Sequence, residues 1–395
     1  MRRLLRDGGA PCRRLFLAGL VSLLLVTSAC GGEGLGQAGR SSSNSGSGGL
    51  SFAEVSEDLA HGTRPIAAYP AVPRLAGGAK PLKGKSVWYI PIASSIPIAS
   101  AVGSAMKEAL AAAGVQMHVC DGRLLPTTIS SCMSQAVTQH ADAVVTGFID
   151  YSLVPTAFDR LISHDIKVLV AGEAPSGGRA SSQQLAFYDA TPSFQRAEHL
   201  ALKSVMADSN GRAKILFVAI TNSSLTRNVA KNARAFIARE CPGCSYDEVA
   251  YATAEIAKLP SRVSAALLQK PDTTHVVVSF DSGVNATLQG VRAAGFEDKV
   301  ALASVSGNLD ALKRVRAGNQ LTVVGLSPVY FGWSYADGAL RLLAGQPVFQ
   351  VHNPARVFAR QNVGNLKLTH QAYATNVWYG TEAYRNSFLH AWGVS

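Results

Sequence analysis

The sequence predicts an α/β fold of two similar lobes, each a Rossmann-like parallel sheet flanked by helices. Two observations carry this. From Lys85 onward, short apolar runs alternate with segments of helix length. Apolar runs of that kind between helices signal parallel strands joined by crossover helices. The alternation also occurs twice, the two series being separated by the small-residue stretch Gly172–Ser182.

In the first series, strand Val87–Ile92 precedes helix Ala99–Ala113, and Gly114 stands where that helix should stop. Strand Val115–Val119, a helix over Thr128–His140, strand Ala143–Thr146, a helix over Leu153–His164 and strand Ile166–Val170 follow. The second series begins with strand Leu185–Tyr188, helix Pro192–Ala207 and strand Lys214–Ile220. It continues through helices Asn228–Arg239, Leu259–Leu268, Val284–Ala294 and Leu309–Ala317. These interleave with strands Asp247–Tyr251, His275–Phe280, Ala301–Val305 and Thr322–Leu326. A last long helix covers Tyr330–Leu343. The repeat is one of pattern and not of residue identity.

The start of the chain reads as an export signal over residues 1–29. It has an arginine-rich head, a short apolar core and small residues before a cut site. The apolar run is too short to span a bilayer as a mature helix. Thr27-Ser28-Ala29-Cys30 resembles a bacterial lipobox, which would make Cys30 a lipidated first residue. Arg13-Arg14-Leu15-Phe16-Leu17 resembles a twin-arginine motif, so either the Sec or the twin-arginine route fits. Gly31–Ser51 is Gly/Ser-rich and reads as a flexible tether anchoring the protein to the outer face of the membrane. Phe52–Leu82, with several prolines, reads as an irregular lead-in, so residues 30–83 are expected to carry no regular structure.

The chain carries a net +11. Residues 1–29 hold five arginines and one aspartate, so 32 basic and 25 acidic residues remain, a net +7. No basic stripe interleaves with aromatics, which argues against a nucleic-acid partner. Of the six cysteines, Cys120, Cys132, Cys241 and Cys244 are left after the signal and Cys30. An exported setting permits disulfides, and four cysteines allow three pairings. Proximity favours Cys120 with Cys132 and Cys241 with Cys244. A redox use of Cys241-Pro242-Gly243-Cys244 is disfavoured, because the pair follows a helix instead of opening one and gains no help from its dipole. No second pair of ligands completes a zinc site. No HExxH, Gly-x-Ser-x-Gly elbow or Walker loop occurs, so no enzyme and no cofactor is indicated.

From Lys85 to the C-terminus the order of motifs resembles the type I periplasmic binding proteins, specifically the ribose-binding-like, sugar-binding subgroup. The resemblance rests on Ala141-Asp142-Ala143-Val144-Val145 with Asp150, and on Asp165-Ile166-Lys167-Val168. It rests also on Phe280-Asp281 with Gly290, Ala293-Ala294-Gly295-Phe296 and Val300. Gly307 with Asn308-Leu309-Asp310-Ala311-Leu312, then Pro328, Gly332 and Gly345-Gln346-Pro347-Val348, complete the set. It implies a Venus-flytrap architecture in which a three-segment hinge joins two lobes around a ligand cleft. The first lobe would take residues 84–175 and 327–352. The second would take 184–326 and 353–395. Crossings would fall near Gly172–Ser182, Leu326–Ser327 and Asn353–Arg360. The resemblance implies a small-molecule ligand and an ABC transporter permease as partners, and a monomeric receptor.

Mapping the family's sugar contacts one by one finds most of them changed. Ile96-Pro97-Ile98-Ala99 stands where the family has an Asn-Pro-aromatic-aromatic loop, and Gly172-Glu173 where it has Asp-Arg. The helix arginine falls near Asn232, with Arg227 and Lys231 close by. Phe280, Ser306 and Leu326 replace an Asn, an Asp and a Gln. Buried sugar hydroxyls need partners, and each one lost costs about 1–3 kcal/mol. The expected ligand is therefore less polar or aromatic, contacting Ile96, Ile98, Phe148, Phe280 and Tyr330. Polar candidates at strand-end loops are Ser94, Ser95, Asp150, Glu173, Thr221, Asn222, Ser223, Arg227, Asp281 and Ser306, since ligands on open parallel sheets sit beyond the C-terminal strand ends. Three roles fit: delivery of a solute to a transporter, sensing for a membrane receptor or kinase, or thiol–disulfide exchange at Cys241 and Cys244. Trp88, Tyr89 and Trp333 read as core residues.

Overall fold

The computed structural model describes residues 49–394. The export signal and Cys30 lie outside the described residues. The elements run α1 (Phe52–Gly62), β1 (Ser86–Pro91), α2 (Pro97–Ala112), β2 (Gln116–Val119), α3 (Pro126–Thr138), β3 (Ala143–Gly147), α4 (Pro155–Ser163), β4 (Lys167–Ala171) and β5 (Leu185–Tyr188). Next come α5 (Thr191–Asp208), β6 (Lys214–Ile220), α6 (Ser224–Glu240), β7 (Ser245–Tyr251), α7 (Leu259–Gln269), β8 (His275–Val278), α8 (Val284–Ala294) and β9 (Ala301–Ser306). The chain ends with α9 (Leu309–Ala317), β10 (Thr322–Leu326), α10 (Pro328–Leu343), β11 (Ala355–Ala359), α11 (Arg360–Val363), α12 (His370–Tyr373) and α13 (Tyr384–Trp392).

Two sheets form, ordered β2-β1-β3-β4-β5 and β11-β10-β9-β8-β6-β7. All pairings are parallel except that of β11 with β10. Helices cover both faces of each sheet, which is why the strands read as continuous apolar runs and not as alternating ones. In the first lobe, α2 and α10 pack on one face, with Val102, Met106 and Tyr335 in the core, while α3 and α4 bring Met133 and Phe158 to the other. In the second, α5 and α6 lie on one face and α7 and α8 on the other, burying Val205 and Phe236, and Val263 and Val291.

The lobe boundaries differ from the sequence-based expectation. The sequence pattern places Leu185–Tyr188 in the second lobe, but it pairs in parallel with β4 as the edge of the first sheet. The Gly172–Ser182 stretch is therefore a loop inside the first lobe, and the first crossing falls at Asp189–Ala190, between β5 and α5. A small-residue break marks a long loop equally well whether or not the chain changes sheet. The other crossings pass through Ser327 and the stretch before Ala355. They are tied together where the Asn353 side chain donates to the Ser327 carbonyl, 2.7 Å. The tail was placed wholly with the second lobe. In fact α13 returns to the first, where Trp392 stacks on Trp333 at 5.6 Å.

The lead-in is irregular only in part, between Thr63 and Ala79. Ser51 and Glu54 form a capping box that starts α1, which seats Val55 against α5. The chain then runs across to the first lobe. Ile66 bridges Gly380, Tyr69 packs on Tyr330 and Tyr384, and Leu75 and Ala79 bond to the carbonyls of Ala391 and Trp392. Prolines in this stretch remove amide donors, yet its carbonyls at Pro70 and Pro73 accept from Tyr330 and Arg341.

One buried group works against the second lobe. Glu198 of α5 is fully buried on the face that carries Leu202 and Val205, and neither carboxyl oxygen has a partner. Burial raises its pKa well above the usual carboxylate range. A raised folded-state pKa contributes stability at low pH that is lost as pH rises through that value. Glu198→Met should therefore stabilise the protein by about 1–3 kcal/mol, the cost of an unsatisfied buried polar group. Thermal melts across pH check this: the variant should melt higher at neutral pH and lose less stability than the wild type as pH rises.

Candidate functional site

The C-terminal ends of both sheets face one another across a cleft that holds a cavity of about 110 Å³. That is room for several waters or a small organic molecule. From the first lobe come Ile92 at the end of β1, Ile96 and Ile98 at the start of α2, Leu124 after β2, Phe148 after β3 and Glu173 after β4. From the second come Ile220, Asn222, Ser223, Leu225, Thr226, Phe280, Asp281, Ser306 and Asn308, with Tyr373 of α12. The walls are mainly apolar. Phe194 of α5 links the halves, with ring centroids 6.4 Å from Phe148 and 5.2 Å from Phe280.

Local backbone geometry builds these walls. Phe148 adopts φ 60°, an unusual value for a bulky residue, and its ring lies over Gly172. A Cβ on Gly172 would stand 2.5 Å from that ring, so glycine is required there. Ser306 sits at φ 117°, another strained conformation at the cavity wall. Leu124, also at positive φ, is carried by a loop stitched to the β1–α2 loop. Asp121 accepts from the amides of Ser94 and Arg123 at 2.8 and 3.0 Å. The sulfurs of Cys120 and Cys132 lie at bonding distance beside this loop, and those of Cys241 and Cys244 do so at the end of α6.

The lobes meet at the start of α6. The Ser224 amide donates to Asp150 Oδ2 at 2.7 Å, and the Leu225 amide donates to Glu173 Oε2 at 3.0 Å. The Ser224 hydroxyl also donates to Glu173, at 3.1 Å. Two amides that the helix itself cannot satisfy thus find carboxylates of the opposite lobe, at the end of the helix dipole that favours negative charge. The Arg227 guanidinium approaches Asp150 at 3.7 Å.

The carboxyl groups differ in charge state. Burial would raise Asp150, but hydrogen bonds from Ser176, from the Ser152 hydroxyl and amide and from the Ser224 amide outweigh it, and its pKa lies below the usual range. Burial pushes Glu173 up to about 7 and Asp281 up to about 6. Asp281 accepts from the Ser304 hydroxyl at 2.6 Å and the Asn308 amide at 2.7 Å, which limits its rise.

Of the residues singled out by sequence, Ile96, Ile98, Phe148, Glu173, Asn222, Phe280, Asp281 and Ser306 line the cavity, as does Ser223. The others lie elsewhere. Ser94 is engaged by Asp121 and Ser95 is exposed. Asp150 is buried at the lobe contact, with Arg227 on its outer side. Asn232 pairs with His199. Leu326 is wholly buried in β10. Tyr330 lies away from this cavity: Tyr69 of the lead-in segment packs on it, and its hydroxyl donates to the Pro70 carbonyl. Sequence reasoning missed Leu124, Phe194 and Tyr373. The rule that ligands sit at strand ends, applied to β2, would have found the first. Tyr373 lies in a tail with no repeating pattern to place it.

A family described as "Periplasmic binding protein domain" matches residues 87–347. No curated protein sequence matches the chain. Among solved structures, the Caulobacter myo-inositol binding protein is 19% identical, with a TM-score of 0.62 over 75% of this chain and 98% of its own. A 5-methylthioribose transporter solute binding protein from Thermotoga lettingae is 14% identical, with a TM-score of 0.63 over 78% and 99%. An ABC transporter solute binding protein from Agrobacterium vitis, bound with α-D-tagatopyranose, is 14% identical, with a TM-score of 0.62 over 72% and 97%. At these identities the likeness establishes the fold.

The raised pKa of Glu173 predicts pH-linked closure. The groups that act on it are Asp150, which keeps its charge, the Leu225 amide and the Ser223 and Ser224 hydroxyls. Opening the cleft would return Glu173 to water and to an ordinary pKa. A group whose pKa is higher in the closed form favours closure below that value, so closure should weaken as pH rises through about 7. Small-angle scattering between about pH 5.5 and 8.5 should show the radius of gyration rising in the wild type. Glu173→Gln, which keeps an acceptor but cannot ionise, should abolish the rise.

Proposed function

The chain belongs to the periplasmic binding protein domain family, and from that premise we propose that it is an extracytoplasmic receptor that captures a small, weakly polar molecule between its lobes and delivers it to an ABC transporter permease. The observation that carries this reading is the cavity at the facing sheet ends, walled in large part by Ile96, Ile98, Phe148, Phe194 and Phe280. Sugar hydroxyls need many polar partners. Here the wall is mainly apolar, and Asp281 spends two of its acceptor sites on bonds within the second lobe. Closure around the ligand gives the permease a shape to read.

The lipobox-like Thr27–Cys30 segment supports anchoring through Cys30, with the Gly/Ser-rich stretch as tether. In that exported setting the two cysteine pairs serve as structural staples. No helix of the described residues is long and apolar enough to cross a membrane.

Three measurements test the reading. Native mass spectrometry of protein purified without denaturation should find a bound small molecule. Calorimetry with ribose, xylose and galactose should give no micromolar binding, and a micromolar sugar would refute the weakly polar assignment. In fractionated cells, Cys30→Ser should move the protein from the membrane to the soluble fraction.

A further inference from the structure

The cleft holds acidic groups with no cation among its lining residues. Glu173 of the first lobe and Asp281 of the second both line it, and no Lys, Arg or His does. The charged neighbour of Glu173 is a second acid, Asp150. The fully buried Tyr335 adds no positive charge. The cation whose field reaches Asp281 is Arg314 of α9, whose guanidinium is directed to Gln320 and Asn285 at 3.0 and 3.4 Å. A carboxylate offers about four acceptor sites, so the two bonds made to each group leave capacity on both.

Two further features point to a ligand. Tyr373 lines the same cavity, is 94% buried by its 6% exposure, and its hydroxyl has no partner. Phe148, Phe194 and Phe280 present a cluster of rings, and aromatic faces attract cations by about 0.5–2 kcal/mol. A carboxylate, sulfonate or phosphate would meet like charge there, which costs several kcal/mol at a desolvated site.

We propose that the ligand is an organic amine, its apolar body against Ile96, Ile98 and the phenylalanines and its protonated nitrogen between Glu173, Asp281 and the Tyr373 hydroxyl. The inference rests on the reading of this cleft as the ligand site. It accounts for two things at once: the missing counter-ion and the orphaned hydroxyl. Both carboxyl pKa values are raised by burial. A cation beside them would lower both, so binding near neutral pH should release protons.

Calorimetry on the full chain at about pH 7 with phenethylamine, 2-phenylethanol and phenylacetate separates charge from shape. The amine should bind at least about tenfold more tightly than the alcohol, and phenylacetate should give no heat. Repeating the amine titration in buffers of different ionisation heat should reveal proton release. The Glu173→Gln, Asp281→Asn double variant, checked for folding by circular dichroism, should lose both the amine preference and the proton release. Equal or tighter binding of the alcohol or acid would overturn the amine while leaving the cleft a binding site, as would an amine preference that survives in the folded double variant. Binding of none of the three would also overturn it. The native mass and sugar measurements then decide separately whether the cleft holds a ligand at all.

Discussion

The first amides of a helix must find acceptors outside it, and in α6 two of them find carboxylates that belong to the other lobe. The bond to Asp150, which keeps its charge, is charge-assisted and stronger than a neutral one, and removing either acceptor leaves a buried donor unmet. The cleft therefore has chemical ties across it that are made of the protein alone. They lie beside the place where Phe148 of the first lobe meets Phe194, which in turn meets Phe280, at the cavity wall. They also take the helix terminus out of play as an anion site, because Asp150 and Glu173 already occupy it.

The same economy of partners governs the back of the molecule. The segment after α1 crosses from the second lobe to the first and ties into Tyr330, Arg341 and the last helix. The aromatic group formed by Tyr69, Tyr330, Tyr384, Trp333 and Trp392 is its anchor. Arg341 and Asp337, buried together within α10, add an ion pair at 2.7 Å, and Asp337 accepts from Trp392 as well. A buried pair of this kind is tolerable because the remaining polar atoms also find partners.

Much of the fold was legible because parallel strands buried on both faces leave unmistakable apolar runs, and every one from Val87 to Leu326 proved to be a strand. What was not legible was which sheet an edge strand joins. Leu185–Tyr188 has the same composition whichever lobe it serves, and only its register against β4 decides. Helix α1 escaped because its eleven residues are followed by a proline-rich stretch, although Ser51 and Glu54 stand at capping-box spacing. At the site, residues on strand-end loops were foreseeable from topology. Tyr330 was not, because its place depends on a distant segment that covers it, and Tyr373 was not, because the tail reaches the cleft only through tertiary packing.

The central claim is that two lobes close on a small guest in a largely apolar chamber. The most direct measurement is a crystal structure of the protein purified in its native state, read for difference density between Phe148 and Phe280. The account predicts a compact organic molecule there, with a polar end toward Glu173 and Asp281. A closed cleft whose rings touch with nothing between them, or one that holds only an ordered water network, would contradict it.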